Sequence, residues 1–284
     1  MENWYEQIFG GGWLMSKLIN VVNKHLIVYI QFLKLSLITQ MEYRWNFFIG
    51  FIVESGFIFT KIMYLIVIYN LDITINGYSP DEILLYVGTF SIITAFYTGF
   101  IMINFYEIPN NIKKGDLDLL IIKPVSLQFM LTLRKIDFSM ILSNFLGGTA
   151  MVIMAILKLN IDLTFSYFLG YILLIFLGVI VAYTLFLIPQ LLSFWIIETK
   201  AIFNISDKAW DFNTMPMVIY TKIIQRIGIF LIPIFTISNF PSMFLVGKIS
   251  NTLLIWAYIV PIILFVLVRI FWNYAIKNYS SASS

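Results

Sequence analysis

The chain contains no cysteine and a single histidine, His25, among its 284 residues. The absence of cysteine excludes disulfide bridges, thiol nucleophiles and thiolate metal sites together. With one imidazole and no thiolate, a zinc or haem site would need an unusual set of ligands. We therefore expect no metal centre in this protein.

Motifs that carry hydrolytic or phosphate-binding chemistry are also missing. The sequence has no GxSxG, no HExxH, no paired acidic motif and no GxxxxGK[ST] phosphate loop. The glycines at 10–12 precede Trp13 and lack the Lys-Ser/Thr pair that cradles a nucleotide. We predict that the chain is not an enzyme, binds no cofactor and does not hydrolyse ATP by itself.

Charged residues are scarce at 12%, whereas hydrophobic residues make up 60% of the chain. Soluble domains carry about a quarter charged residues, and several apolar runs here reach the roughly 20 residues that a helix needs to cross a bilayer. We predict an all-α polytopic membrane protein whose transmembrane domain, residues 47–284, has six helices. The predicted spans are about 47–68, 83–103, 138–157, 168–189, 217–235 and 253–271.

Two segments fit neither a span nor an ordinary loop. Residues 1–46 mix aromatic, apolar and basic residues, which is typical of an amphipathic helix lying in the membrane interface; a loose cytosolic tail is the alternative for residues 1–25. Between Pro233 and Gly247 an apolar stretch is interrupted by prolines, and this pattern predicts a re-entrant or interfacial hairpin on the outer side, before the last span.

Lysine and arginine are unevenly distributed between the two sides that six spans define. The loops of one side hold only Lys158 and Lys248, and Lys61 lies inside a span. The other basic residues, Lys222 and Arg226 among them, fall on the side of the termini, the loop 105–137 and the polar segment 198–220. We assign no specific role to Glu198, Asp207 and Asp211 of this segment. The positive-inside bias then places both termini and these segments in the cytoplasm of a multi-pass cell-membrane protein.

The loop 105–137 is the longest polar-rich interruption of the chain. Pro109 is suited to open a short helix, Lys113 and Lys114 fall in its last turn, and Gly115 is suited to end it. The loop is therefore predicted to hold compact structure of its own.

A second helical turn is predicted directly after Gly115. Asp116 can cap this turn, and Pro124 ends it. Leu117, Leu120 and Ile121 share one face of it. Spacing alone leaves two interpretations open: a knob that plugs into a groove on a soluble partner, or a loop whose leucines fold back onto the membrane surface.

These segments carry a family resemblance. The sequence MEYRWNF at 41–47, before the first span, and IKKGDLDLLIIKPVS at 112–126, after the second, are similar to those of the ABC-2 type permeases, the membrane subunits of a class of ATP-driven exporters. The SFW at 193–195 and the prolines Pro233 and Pro241 extend the resemblance, which covers roughly residues 29–275. Family members often carry arginine where this chain has Lys123.

The resemblance implies a subunit that pairs with a second permease, identical or homologous, and docks on two separate ABC ATPase subunits, which would bind ATP and Mg. The N-terminal segment, with Glu42 and Arg44, would be the connecting helix. The expected partners are these subunits and membrane lipid, with no nucleic acid. The loop after the second span would carry the coupling helix, with docking assigned to Glu107, Lys113, Lys114, Gly115, Asp116, Asp118, Leu120 and Pro124.

Glu54 lies near the middle of the first predicted span, where an ionised group is costly. Lys61 is about 10 Å further along the helix axis, so we expect no direct pair and expect Lys61 to snorkel outward. Gly50, one turn before Glu54, would let another helix approach this face. Glu54 is then either in a helix or subunit contact, or in the translocation path.

Two other function classes remain open beside the exporter permease. An ion-coupled secondary transporter or channel would use Glu54 as its ion or proton site, although the two halves of the sequence show no convincing repeat. A membrane enzyme acting on lipid would need a catalytic constellation that the sequence lacks.

Overall fold

The computed structural model describes residues 11–72, 74–196 and 200–279. Within these ranges the chain is built from helices joined by short turns and has no β-strand. Six of the described helices are long and apolar enough to cross a membrane. The predicted class, an all-α polytopic membrane protein, is confirmed.

The α-helices are numbered here in chain order. They are α1 (Gly11–Glu42), α2 (Arg44–Asn70), α3 (Pro80–Tyr97), α4 (Ile108–Lys114), α5 (Leu117–Ile121), α6 (Leu127–Thr132), α7 (Phe138–Lys158), α8 (Phe165–Leu191), α9 (Lys200–Asp211), α10 (Lys222–Arg226), α11 (Asn239–Leu245) and α12 (Asn251–Lys277). Helix α3 continues through a π-helical turn at Thr98–Met102 and reaches Phe105. Helices α2, α3, α7, α8 and α12 correspond to five of the six predicted spans; the sixth helix long and apolar enough to cross a membrane is α1, from Ile19 to Glu42.

Helix α3 lies at the centre of the bundle. It starts sharply after the loop 71–79, because the Ser79 hydroxyl accepts from the Glu82 N–H while the Glu82 carboxylate accepts from the Ser79 N–H. Nearly all of its side chains are buried, on every face, as expected for a helix surrounded by others. Gly88 and Gly148 bring it against α7, since a Cβ on either glycine would meet backbone of the opposite helix at 2.9 or 2.8 Å.

Helix α1 lies across the end of the bundle that holds the loop 105–137. The rings of His25, Tyr29 and Phe32 surround Phe129 of α6, and the Gln40 amide donates to the Ile136 carbonyl at 2.7 Å. Residues 11–25 are helical rather than a loose tail, while residues 1–10 lie outside the described part. The placement suits the connecting helix; its interfacial position stays a prediction.

The fifth predicted span, 217–235, is not one helix. The segment is divided into short 3₁₀, α and π pieces: Met217–Ile219, α10, Ile227–Leu231 and Ile234–Thr236. Pro216 precedes the first piece and Pro233 separates the third from the fourth, and a proline has no N–H with which to continue a helical ladder. The prediction of a span at 217–235, made from apolar composition, was therefore wrong.

A different segment, 200–218, runs between the two ends of the bundle. It begins beside the 105–137 end, where the Gln190 amide near the end of α8 donates to the Ser206 hydroxyl at 3.2 Å. Three hydrogen bonds then mark its course along α3: Tyr106 to the Asp207 carboxylate, Tyr86 to the Asn213 carbonyl, and Asn76 to the Val218 carbonyl. Lys222 and Arg226, which the charge count assigned to the cytoplasmic side, consequently belong to the 71–79 end.

The chain then forms a hairpin, 217–248, that enters the bundle and returns. The Ile237 carbonyl lies so close to Gly178 of α8 that a Cβ there would be 2.3 Å away; Gly178 is about 20 Å along α8 from its start. The returning limb reaches the 71–79 end again, where the Lys248 ammonium donates to the Gly77 carbonyl at 2.8 Å. The predicted hairpin over 233–247 is thus the second limb of a longer one.

Candidate docking loop and translocation face

The local structure of the loop 105–137 follows its helix start and stop residues. Pro109 lies in the first turn of α4, and Gly115 ends α4 with a φ of 75°, a left-handed conformation that glycine adopts without strain. Asp116 precedes α5, although its side chain makes no capping hydrogen bond there, and Pro124 follows α5. The two short helices form a knob, residues 108–124, at this end of the bundle.

The knob has one face in the core and one in solvent. Leu117 and Leu120 are buried within the hydrophobic core of the chain, whereas Leu119, Ile121 and Ile122 are exposed. Leu120, which the sequence assigned to docking, is a packing residue in this structure because α5 turns that side inward. Leu117 and Leu120 fold back onto the protein core rather than onto the membrane surface. Ile121, predicted to share their face, belongs instead to a second apolar surface that faces outward.

The charged residues of the knob are mostly on its outer surface. Lys113, Lys114, Asp116, Lys123 and Pro124 are exposed. Glu107 forms an ion pair with Lys135 instead. Asp118 lies beside Tyr279, which follows α12. Burial, and then the neighbouring Asp118 carboxylate, raise the pKa of the Tyr279 hydroxyl. The exposed surface combines bases, one carboxylate and apolar side chains.

The loop is held firmly to the end of α3. The Asn104 amide donates to the Lys135 carbonyl at 2.8 Å and accepts from the Lys135 N–H at 2.8 Å. Nearby, the Asp137 N–H donates to the Gly99 carbonyl at 2.8 Å. The far end of the loop is therefore tied to the end of α3 by the Asn104 side chain and by one backbone hydrogen bond.

Helix α9 has one face packed against the bundle and one polar face. Trp210 stacks on Tyr97 with ring centroids 4.3 Å apart, and Ser206 is buried. On the other side Asn204, Lys208 and Asp211 are exposed, with the Lys208 ammonium 3.5 Å from the Asp211 carboxylate. Because α9 runs alongside α3, we expect this polar face to lie at membrane depth, where charged groups must meet water or protein rather than lipid.

Sequence reasoning did not find the polar face. Asn204, Lys208 and Asp211 recur at i, i+4 and i+7, which is the spacing of one helix face. The signal was present, yet the polar composition of 198–220 favoured a solvated segment. Glu198 lies outside the described residues.

Glu54 is in a helix contact within the chain. Its carboxylate accepts from the Asn144 amide of α7 at 2.7 Å, and the hydroxyls of Ser55 and Ser143 lie 3.4 Å apart beside it. A Cβ at Gly50 would be 2.7 Å from the Ser139 hydroxyl. Glu54 and Gly50 therefore both lie at the contact between α2 and α7.

Lys61 turns into the bundle instead of snorkelling outward. Its ammonium donates to the Ser91 hydroxyl at 3.0 Å and lies 4.9 Å from the centroid of the Phe90 ring. Glu42 and Arg44, the remaining assigned residues, are exposed on either side of the joint at Tyr43 between α1 and α2. Within the described ranges, no group of three or more His, Asp or Glu side chains comes together to hold a metal ion.

Comparison with known proteins gives one match. A family model described as ABC-2 family transporter protein matches residues 56–283, which include the knob, α9 and the hairpin. No curated protein and no solved structure matches the chain.

Proposed function

The chain belongs to the ABC-2 family of transporter proteins, and we propose that it forms the translocation path of an exporter whose ATP is hydrolysed by two separate ABC ATPase subunits. As a multi-pass permease it is a membrane component and not the catalyst. ATP and Mg would be bound by the partner subunits, and a second permease, identical or homologous, would complete the path. Both termini and the knob would face the cytoplasm of the cell membrane.

The knob is the observation that carries this proposal. It is compact, has an exposed outer face, and belongs to a loop whose far end is tied to α3 through Asn104 and Lys135. A helical element with an apolar tip suits a groove on a soluble partner, and rigid mounting is what a coupling element needs to pass a movement to the membrane helices.

Expression of the chain together with its neighbouring genes tests the partnership. We expect ABC ATPase subunits to remain bound when the chain is purified in mild detergent, and transport by the assembled complex to require ATP. The ion-coupled alternative predicts the opposite result: the chain purified alone would transport when an ion gradient is applied without nucleotide, and this result would overturn the exporter proposal.

We assign the polar face of α9 to the translocation path. Asn204, Lys208 and Asp211 supply polar groups at a depth where α12, in contrast, exposes apolar side chains such as Ile262 and Phe265. A water-filled path between two permeases would hydrate the polar groups of α9 and leave the apolar side chains of α12 in lipid.

Single-cysteine labelling measures this difference directly, because the natural chain contains no cysteine. We expect Asn204→Cys and Asp211→Cys to react with a membrane-impermeant thiol reagent about a hundredfold or more faster than Ile262→Cys and Phe265→Cys. Hydrocarbon raises the thiol pKa by several units and so removes the reactive thiolate.

The α12 cysteines are matched controls, since both positions are exposed on a helix at membrane depth. Equal labelling rates for the α9 and α12 cysteines in the assembled complex would show that α9 does not line the translocation path. This result would leave the ATPase partnership, which the purification tests separately, untouched.

A further inference from the structure

Arg269 is the one arginine of α12 and one of the basic residues on the side of the termini. It lies 18 residues after Asn251, or about 27 Å along the helix at 1.5 Å per residue. The hydrocarbon layer is roughly 30 Å thick. If α12 enters the bilayer near its first residue, Arg269 lies at the headgroup boundary of the opposite leaflet, the one at the 105–137 end.

A neutral network orients the guanidinium. Arg269 donates to the Gln128 side-chain carbonyl at 2.7 Å, and the Gln128 amide donates to the Tyr183 hydroxyl at 3.0 Å. The amide N–H of Gln128 is thereby committed to Tyr183, so its oxygen faces Arg269. Thr132, 3.1 Å from the same hydroxyl, completes a network that holds the arginine without neutralising its charge.

The positive charge of Arg269 has no acidic counterpart in the described ranges. None of the ion pairs found there includes Arg269, although its side chain is exposed. Arginine side chains near the ends of membrane-spanning helices reach the headgroup level, and a guanidinium binds phosphate through paired hydrogen bonds. The site therefore fits an anionic group supplied from outside the chain.

The neighbouring surface matches the rest of a lipid molecule. Ile262, Phe265 and Val266 are exposed seven, four and three residues before Arg269, so they form an apolar track from the guanidinium toward the bilayer centre. One turn beyond Arg269, Trp195 stacks on Phe271 and Tyr274, with centroid distances of 5.8 and 5.6 Å. Aromatic clusters of this kind mark the headgroup level.

We propose that Arg269, oriented by Gln128, binds the phosphate of an anionic phospholipid in the leaflet at the 105–137 end, with an acyl chain along Ile262, Phe265 and Val266. The charge and the apolar track point to a lipid rather than to a free anion, because a soluble anion would make no contact with the apolar side chains. The inference needs the chain to span the membrane and is independent of ATPase coupling.

Native mass spectrometry of the purified chain, with any subunits that accompany it, tests the site by titration with phosphatidylglycerol and with phosphatidylcholine of the same acyl chains. We expect the wild type to retain one phosphatidylglycerol at least about fivefold more tightly than phosphatidylcholine, since one basic residue near a charged surface contributes about 1 kcal/mol. Arg269→Gln should remove this preference. Lys277→Gln, which deletes the same charge from the last turn of the same helix, should keep it.

Gln128→Leu provides a second variant that leaves the charge of Arg269 intact. Loss of the oriented acceptor should weaken the phosphatidylglycerol preference without abolishing it. A wild type that does not discriminate between the two lipids would overturn the proposal, even if Arg269→Gln fails to fold. So would equal losses in Arg269→Gln and Lys277→Gln, and competition by millimolar inorganic phosphate would identify a free-anion site instead.

Discussion

Replacing Ile122 with aspartate is expected to lower ATP hydrolysis by the assembled transporter about tenfold or more while the membrane chain stays folded. Ile122 is 75% exposed at the end of the knob, so the carboxylate costs nothing in the free chain. In a docked complex the same carboxylate would be buried in an apolar groove without a partner. The measurement is nucleotide hydrolysis by the complex in vesicles, with the amount of ATPase subunit that co-purifies.

Two other substitutions separate docking from folding. Ile223→Asp is the matched control, because Ile223 is 71% exposed on the hairpin at the opposite end of the bundle; it should leave hydrolysis unchanged. Leu120→Asp places a charge in the core and should unfold the 105–137 end, so its effect carries no information about docking. Normal hydrolysis and transport by Ile122→Asp would show that the knob is not the coupling element.

Charge at the knob should act in the same direction but less strongly. Asp116 is exposed, and reversal in Asp116→Lys should weaken subunit binding by a few fold at physiological salt, because rim charges are screened. The effect should grow as ionic strength is lowered. A loss that is independent of salt would point to misfolding of α5 rather than to an altered contact.

The contrast between Leu120 and Ile122 shows what the sequence predicts about this loop. Pro109, Gly115 and Pro124 act through their own backbone chemistry, so their positions predict where α4 and α5 begin and end. The direction in which a five-residue helix points depends on the core that receives it. That core is assembled from distant segments, so the buried and exposed apolar faces of the knob could not be distinguished beforehand.

The prediction of the fifth span was wrong for a related reason. Hydropathy favoured 217–235 because those residues are apolar, although Pro216 and Pro233 prevent a continuous helix. The polar segment that runs the length of α3 is tolerated because the bundle covers its apolar side, through contacts such as Trp210 with Tyr97. A hydropathy window averages both faces of a helix and therefore cannot recognise a membrane-spanning segment that has one polar face.

Paired and unpaired charges within the spans were equally difficult to predict. The Glu54 carboxylate accepts a hydrogen bond from Asn144 on α7, and the Lys61 ammonium donates one to Ser91 on α3. Each partner lies on another helix, far away in sequence. Sequence identifies such residues as costly in lipid. Their partners become known only when the packing of α2 against α3 and α7 is known.

The packing of α3 on α7 leads to the largest stability effect that we expect. A Cβ at Gly148 would come within 2.8 Å of the Gly88 carbonyl oxygen and the Ile92 backbone nitrogen. These are backbone atoms, so no side-chain rotation relieves the clash and the two helices must separate. Gly148→Leu should therefore destabilise the chain by about 3 kcal/mol or more, which is a large fraction of the stability of most proteins.

Gly56→Leu is the control for this substitution, since Gly56 lies inside α2 and a Cβ there meets nothing within 4 Å. Leucine is a better helix former than glycine by up to about 1 kcal/mol, so Gly56→Leu should leave the melting temperature unchanged or raise it. Fluorescence-detected size exclusion after stepwise heating would compare the two variants in the same detergent. Because α3 also carries Asn104 and the knob, Gly148→Leu should lose the ATPase subunits together with its fold, whereas equal melting of both variants would refute the close contact of α3 with α7.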